Sequence, residues 1–283
     1  MDTNYLARAK KYRAKKRLGQ NFLIDAGIID AVISSAGITK EDTAVEIGAG
    51  LGFVTEQLVQ HAKNVYAVEL DADMVKELNK INSDNLKIIH QDILKTDLSQ
   101  FGAELKVIAN IPYYITSPIL AHLLGEIDDL NNKNRNAVSE IILMVQYEAA
   151  KRMTADEKSP GKEYGLLSLL AQFWADTAFI KKVPPQAFFP SPKVNSAIVR
   201  LKIRKTPLLQ LNDYSFFRKT AKACFAQRRK NIKNSLINAG FNKEIVIKTL
   251  KELGINENLR GETLSISTLG RLSETLKAEI PAL

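Results

Sequence analysis

The chain has 283 residues, 45% of them hydrophobic, and carries a formal charge of +9 from 40 basic and 31 acidic side chains. That much apolar sequence exceeds the usual single-domain size, so one large domain and one small one are expected. No run reaches the roughly 18 apolar residues of a membrane helix, and the lysines near the N-terminus precede no signal-peptide core. A soluble, cytoplasmic, monomeric protein without membrane contact is therefore expected. The lone Cys224 excludes an internal disulfide or a thiolate cluster, and His61, His90 and His122 lack metal-ligand spacing, so no metal is expected.

The charge is unevenly distributed. Residues 1–17 hold seven Lys or Arg against one Asp, giving +6, and residues 181–234 hold fourteen against Asp213 alone, giving +13, so the remainder sums to −10. Two basic blocks on an acidic body point to a polyanionic partner, with nucleic acid the leading class.

From Thr43 onward, β-rich runs alternate with helical spacing. The runs are Thr43–Ile47, Asn64–Glu69, Leu86–His90, Leu105–Ala109 and Glu140–Val145. Between them Val54–His61 and Ala72–Lys80 have a helical period, with Asp71 as the N-cap of the second. Such alternation predicts a parallel sheet. Ala175–Val183 and Asn195–Ile203 add two strands, and the V-R-L-K-I alternation of the latter predicts a half-exposed antiparallel edge. The fold expected is α/β, Rossmann-like and seven-stranded.

After Thr206-Pro207 the pattern becomes helical over Tyr214–Ala239, Lys243–Leu253 and Ile266–Glu279. The predicted division is 1–206 and 207–283. In the first of these helices Phe217, Ala221, Cys224, Phe225, Ile232 and Leu236 form an apolar face. Arg218, Lys222, Arg229 and Lys233 share another, with almost no local acids, which suggests phosphate contact.

Val45-Glu46-Ile47-Gly48-Ala49-Gly50-Leu51-Gly52 sits where the first predicted strand turns into a helix, the place at which doubly wound sheets bind cofactors. Counting a dinucleotide fingerprint from Gly48 puts bulky Phe53 at its third glycine, with Gly52 one residue early, which disfavours a pyrophosphate. Glu69 ends the next strand, where a carboxylate accepts from ribose hydroxyls. Glu46 would repel a pyrophosphate but suits a cationic ligand or its amino group, favouring S-adenosylmethionine over NAD. Asp92, after the third strand, can accept from an adenine amino group.

Asn110-Ile111-Pro112-Tyr113 follows the fourth strand, beside the glycine loop in a doubly wound order. An exocyclic adenine amine is a poor nucleophile because its lone pair is delocalised into the ring. The Asn110 Oδ1 and the Ile111 carbonyl are two acceptors that would favour a pyramidal, more reactive nitrogen. Pro112 stiffens the backbone and Tyr113 offers a stacking face, while Tyr114 is assigned to packing.

Taken together these residues resemble the ribosomal RNA adenine dimethyltransferase family along nearly the whole chain. Lys16-Arg17-Leu18-Gly19-Gln20-Asn21-Phe22-Leu23-Ile24-Asp25 is similar to its N-terminal signature, which implies that Asn21 and Leu23 contact S-adenosylmethionine. The glycine loop matches from Glu46 to Gly52, with Ala49 where many members have Pro, and the ribose acid, adenine-contacting acid and catalytic motif match Glu69, Asp92 and Asn110 to Tyr113. The resemblance implies a class I S-adenosylmethionine-dependent methyltransferase domain followed by a small helical, RNA-contacting one.

Val183 to Ser196 resembles the family's target-base loop, implying that Phe188 stacks on the adenine opposite Tyr113, with Phe189 where a small or polar residue is common. Gln227-Arg228-Arg229-Lys230 and Arg260 to Ser265 resemble the housekeeping branch, which dimethylates two adjacent adenosines near the 3′ end of small-subunit rRNA during ribosome biogenesis. Three alternatives stand beside this reading: a large-subunit rRNA methyltransferase of the antibiotic-resistance type, a chiefly non-catalytic ribosome-assembly factor, and an NAD-dependent dehydrogenase. The last is disfavoured by the Gly52 spacing.

Overall fold

Strands that are buried on both faces read as continuous apolar runs, and those runs are where the strands form. The computed structural model of the protein describes residues 3–160, 163–227 and 229–279; Met1, Asp2 and Arg228, which the charge blocks and the 227–230 motif include, lie outside the described residues. The strands are β1 (Phe22–Leu23), β2 (Thr43–Ile47), β3 (Asn64–Glu69), β4 (Leu86–His90), β5 (Leu105–Asn110), β6 (Val138–Gln146), β7 (Ala175–Val183), β8 (Phe188–Phe189) and β9 (Ser196–Ile203). Seven of them form one sheet in the order β4-β3-β2-β5-β6-β9-β7. The neighbours from β4 to β6 pair in parallel, while β9 is antiparallel to both β6 and β7.

One expectation is corrected here. The strand with V-R-L-K-I alternation is not the edge: β9 lies between β6 and β7, and β7 takes the edge. Arg200 and Lys202 are exposed although the strand is internal, because one face of this end of the sheet reaches solvent.

The helices of the first half are α1 (Thr3–Ala9), α2 (Ala26–Ala36), α3 (Phe53–His61), α4 (Ala72–Leu78), α5 (Thr116–Leu124), α6 (Lys133–Ala137) and α7 (Tyr147–Thr154). Asp25 and Asp71 cap α2 and α4 by accepting from the backbone N–H groups of Ile28 and Asp73. The basic N-terminal segment is folded rather than trailing. Tyr5 of α1 stacks on Phe53 at 4.5 Å between centroids, and Arg8 pairs with Glu56 at 2.8 Å.

The chain divides into two compact units, residues 1–125 with 131–151 and 175–205, and residues 126–130 with 152–174 and 206–283. One boundary adjoins the expected one at 206, but Glu126–Leu130 and Arg152–Trp174 group with the C-terminal helices. The second unit holds α8 (Leu166–Trp174), α9 (Tyr214–Phe225), α10 (Ile232–Asn238), α11 (Lys243–Glu252) and α12 (Ile266–Ala278). Its core includes Phe173 and Phe217, whose rings stack at 5.7 Å.

The single helix expected over Tyr214–Ala239 is two. Asn231 breaks it by capping α10, accepting from the Asn234 N–H at 2.9 Å, a bond that competes with continuing the helix. The basic stripe therefore does not run along one helix face, and acids distant in sequence reach part of it. Arg218 pairs with Glu126 at 3.0 Å and Asp128 at 3.4 Å, and Lys233 with Glu257 at 2.7 Å.

Cys224 is buried, and burial pushes its thiol up to about 12, so it packs as an inert apolar side chain. A Cβ at Gly261 would fall inside the Cys224 backbone carbonyl, which accounts for a glycine in Arg260 to Ser265 without invoking a ligand. Gly261→Ala is expected to destabilise the helical unit by about 1–3 kcal/mol through overpacking, read as a lowered urea midpoint of the far-UV signal.

Candidate active site at the carboxyl edge of the sheet

β2 hydrogen-bonds to β3 on one side and β5 on the other, so the chain reverses direction across the sheet at β2, and a crevice opens at the strand ends there. Gly48, Gly50 and Gly52 follow β2 at φ of 73°, 55° and 81°, a region that side chains with a Cβ disfavour. A Cβ on Gly48 would stand 3.3 Å from the Asn110 carbonyl oxygen, so the loops after β2 and β5 are in near contact. At Gly52 it would strike Ile81 at 2.7 Å, so this glycine serves helix packing while the other two line the cavity.

Glu46 and Glu69 are both buried, at 4% and 7% exposure, on the wall of this cavity. The two Glu69 oxygens accept from the Gly50 and Asp71 N–H groups at 2.8 Å each, which fixes the carboxylate while leaving further lone pairs. Burial raises its pKa, and the backbone N–H bonds oppose that rise. Among the described residues Glu46 accepts only the Thr55 hydroxyl, at 2.5 Å; burial pushes it up to about 8, with the Glu69 charge adding to the shift. A carboxyl buried in this way ionises readily only beside a positive charge. Asp92 follows β4 and accepts from the Leu94 N–H at 3.0 Å, with Leu70, Gln91 and Ile93 beside it on the cavity wall. Composition gave no hint of these three; Leu70, at 51% exposure, is an apolar side chain at a strand end that a reading focused on acids passes over.

The structure brings Asn110, Pro112 and Tyr113 to the same cavity. Asn110 Nδ2 donates to the Asn21 carbonyl at 3.4 Å, which leaves Oδ1 as its acceptor. Pro112 has φ −58° and ψ 134°, and the half-buried Tyr113 begins a short 3-10 turn. Its hydroxyl lies 2.5 Å from the Ser196 Oγ, and Ser196 is fully buried at the start of β9. Sequence reasoning missed Ser196, whose signal was its place at the end of the target-base loop. Tyr114 is not packing as expected: it is 65% exposed, with its hydroxyl 3.4 Å from the Arg17 carbonyl and its ring edge over Gly19.

The N-terminal segment covers one side of this cavity, with Asn21 and Leu23 both on the wall. Lys15 pairs with Asp71 at 2.5 Å and Asp73 at 2.8 Å, Gln20 donates to Asp71 at 2.7 Å, and β1 pairs antiparallel with β8. Two basic residues of the N-terminal block, Arg8 and Lys15, are thus engaged with the protein itself. The pairing sets Leu23 opposite Phe188 and Phe22 opposite Phe189. Phe188, expected to present its face to a base, is 3% exposed and sits in the hydrophobic cluster with Leu23; the half-buried ring of the pair is Phe189. The short β1–β8 ladder closes over Phe188, which no period in the sequence announces.

Residues 11–277 match the ribosomal RNA adenine dimethylase family. The chain belongs to that family. It is 42% identical to the ribosomal RNA small subunit methyltransferase A of Bacillus licheniformis over 93% of this chain and 91% of that one. The protein of the same name from Clostridium botulinum, strain Langeland, is 37% identical over 98% of each chain. Among solved structures, a dimethyladenosine transferase from Plasmodium falciparum superposes with a TM-score of 0.74 at 26% identity, covering 89% of this chain and 95% of that one.

As an rRNA adenine dimethylase the protein uses S-adenosylmethionine, and the residues present fit it. The buried Glu46 carboxyl suits a cation, Glu69 has lone pairs left for ribose hydroxyls, Asp92 has a free acceptor near apolar walls, and the glycine backbone admits close approach.

Two outcomes are expected. Folded protein keeps a proton on Glu46 up to about pH 8 that the unfolded chain loses near 4.5, so this contribution to stability is full below 4.5 and is lost as pH rises through 8. Glu46→Gln should flatten that decline, worth at most about 5 kcal/mol, in urea midpoints between pH 5 and pH 8. Ser196→Ala should lower kcat about tenfold with the KM for S-adenosylmethionine unchanged, and should have no further effect in a Tyr113→Phe background, because the only hydroxyl that Ser196 holds is then absent.

Proposed function

We propose that the protein transfers methyl groups from S-adenosylmethionine to the N6 amines of two adjacent adenosines near the 3′ end of small-subunit rRNA. It acts as a cytoplasmic monomer on a pre-ribosomal small subunit, its helical unit contacting RNA. Identity of 37–42% along nearly the full length of relatives named ribosomal RNA small subunit methyltransferase A supports the choice of subunit. The observation that carries the chemistry is Asn110 at the end of β5, with the Gly48 backbone against its carbonyl and Tyr113 beside it.

When bound, the cofactor supplies an electrophilic methyl on a sulfonium. The chain's own residues do the rest. Asn21, Leu23, Glu46, Gly48, Gly50, Glu69 and Asp92 hold the cofactor on one side of Asn110. The Asn110 Oδ1 and the Ile111 carbonyl accept the two amine hydrogens, drawing the nitrogen out of conjugation and aiming its lone pair. Pro112 holds that carbonyl, and Tyr113, its hydroxyl engaged by Ser196, presents its ring to the base. No side chain has to remove a proton first, since the amine proton leaves to water after transfer. On the opposite face of the base, Phe189 is the accessible ring, with Phe188 buried behind it in the β1–β8 pairing. The target adenine leaves its stack to reach the site, as bases do in enzymes acting on their exocyclic atoms.

Labelled methyl transfer to purified small and large subunits lacking these modifications, followed by mapping of the base, tests the assignment. Label is expected on two adjacent adenosines of small-subunit rRNA; label confined to large-subunit rRNA would overturn it. Asn110→Ala should cut turnover by about 10²-fold or more while equilibrium binding of S-adenosylmethionine persists.

A further inference from the structure

Beyond the cofactor crevice, the same unit carries an aromatic and cationic cluster that the reaction above does not use. Tyr147 follows β6 directly, and its ring meets Phe179 of the edge strand β7 edge-on at 5.9 Å. Two ammonium groups lie over the same tyrosine ring, Lys182 at 4.9 Å and Lys151 at 5.3 Å.

An irregularity in β7 builds this cluster. Phe179 pairs with Val199 and Lys181 with Ile198, so Ile180 is an extra residue in the ladder. In a regular strand, side chains three apart point to opposite faces; one inserted residue reverses the parity and brings Phe179 and Lys182 to the same side, where Tyr147 stands. Lysines on an open edge strand are ordinarily guards against pairing with another chain, and Lys181 meets that description. A guard needs no aromatic partner. Phe179 and Ile180 remain 40% and 37% exposed, and among the described residues neither Lys181 nor Lys182 forms an ion pair. Glu148 lies 3.4 Å from Lys151 at the margin of the cluster.

Position gives the cluster its meaning. The Tyr147 N–H donates to the Asn195 carbonyl at 3.0 Å, and the next residue, Ser196, is the one that engages Tyr113. Lys182 and Val183 pair with Ala197 and Ser196, so the cluster stands at the root of the loop carrying Phe188 and Phe189.

The geometry points to a second nucleotide subsite: Tyr147, Phe179, Lys151 and Lys182 form a platform for single-stranded rRNA flanking the target adenine. A base stacks on the exposed Phe179 ring while the ammonium groups contact its phosphates, the pairing of aromatic face and cation that sequence-tolerant single-strand binding uses. This rests on the rRNA methyltransferase reading, and it adds the means by which the strand is held once the target base has left its stack.

The test measures anisotropy binding of a labelled small-subunit rRNA fragment containing the target adenosines, across a salt series, to the full-length protein. Phe179→Ala should weaken binding about 5- to 10-fold, and Lys182→Ala should lower the slope of log affinity against log salt by about 1. Lys63→Ala, an exposed lysine just before β3, five strands from β7 in the sheet, should change neither. S-adenosylmethionine affinity should be unaltered throughout. Affinities and slopes within twofold of wild type would overturn the platform, as would a loss seen only on assembled subunits, which would assign the cluster to a protein contact. Wild-type protein that binds the fragment through these residues yet transfers no methyl would instead overturn the catalytic reading and leave the platform standing.

Discussion

Everything in the site depends on β2 and β5 being hydrogen-bonded neighbours with Ile47 beside Ala109. These strands are far apart in sequence, and their adjacency sets the glycine turn and Asn110 against one another at the same sheet edge. A Cβ on Gly48 would press on the Asn110 carbonyl at 3.3 Å and be strained by the positive φ there. A backbone pairing, more than any one side chain, thus brings the glycine turn and Asn110 to one cavity. Slipping that register by one residue would turn Asn110 away from the crevice.

The second organising effect is desolvation. Two carboxyl groups are buried in one cavity wall, and they are handled differently. Glu69 is given two backbone donors and stays anchored; Glu46 is given one hydroxyl and is left short of positive charge. Burial holds Glu46 as the neutral acid, and only a positive charge nearby offsets the cost of ionising it, so the wall favours a cationic group over an anionic one. The contrast with a dinucleotide site follows from it, for a pyrophosphate would meet a buried acid.

Much of this was legible in the sequence, and the parts that were not share a cause. Strands β2 to β5 end within a residue of their expected positions; β2, β3 and β5 are internal parallel strands that read as apolar runs, and the edge strand β4 keeps its Leu and Ile residues half-buried. That Glu46, Glu69, Asp92 and Asn110 line one cavity was legible because strand ends converge in doubly wound sheets. What escaped depends on partners remote in the chain. The internal place of β9 depends on β7 pairing outside it, and the burial of Phe188 on a two-residue ladder with β1. The acids that meet Arg218 come from Glu126 and Asp128, and the contacts of the exposed Tyr114 ring are with Arg17 and Gly19 of the N-terminal segment. The break at Asn231 was local, but an N-cap within an otherwise periodic stretch looks like one more polar helix residue until its side chain is seen to accept from Asn234.

The ladder between β1 and β8 also bears on loop entropy. Residues 184–195 form a long connection closed at its root by the Val183–Ser196 pair, and an open loop of that kind samples many shapes that a bound base would have to suppress. Pinning Phe188 and Phe189 to Leu23 and Phe22 divides it into two shorter spans, so much of the ordering is done as the chain folds. The N-terminal segment is thereby both a wall of the cavity and a splint for the loop of residues 184–195.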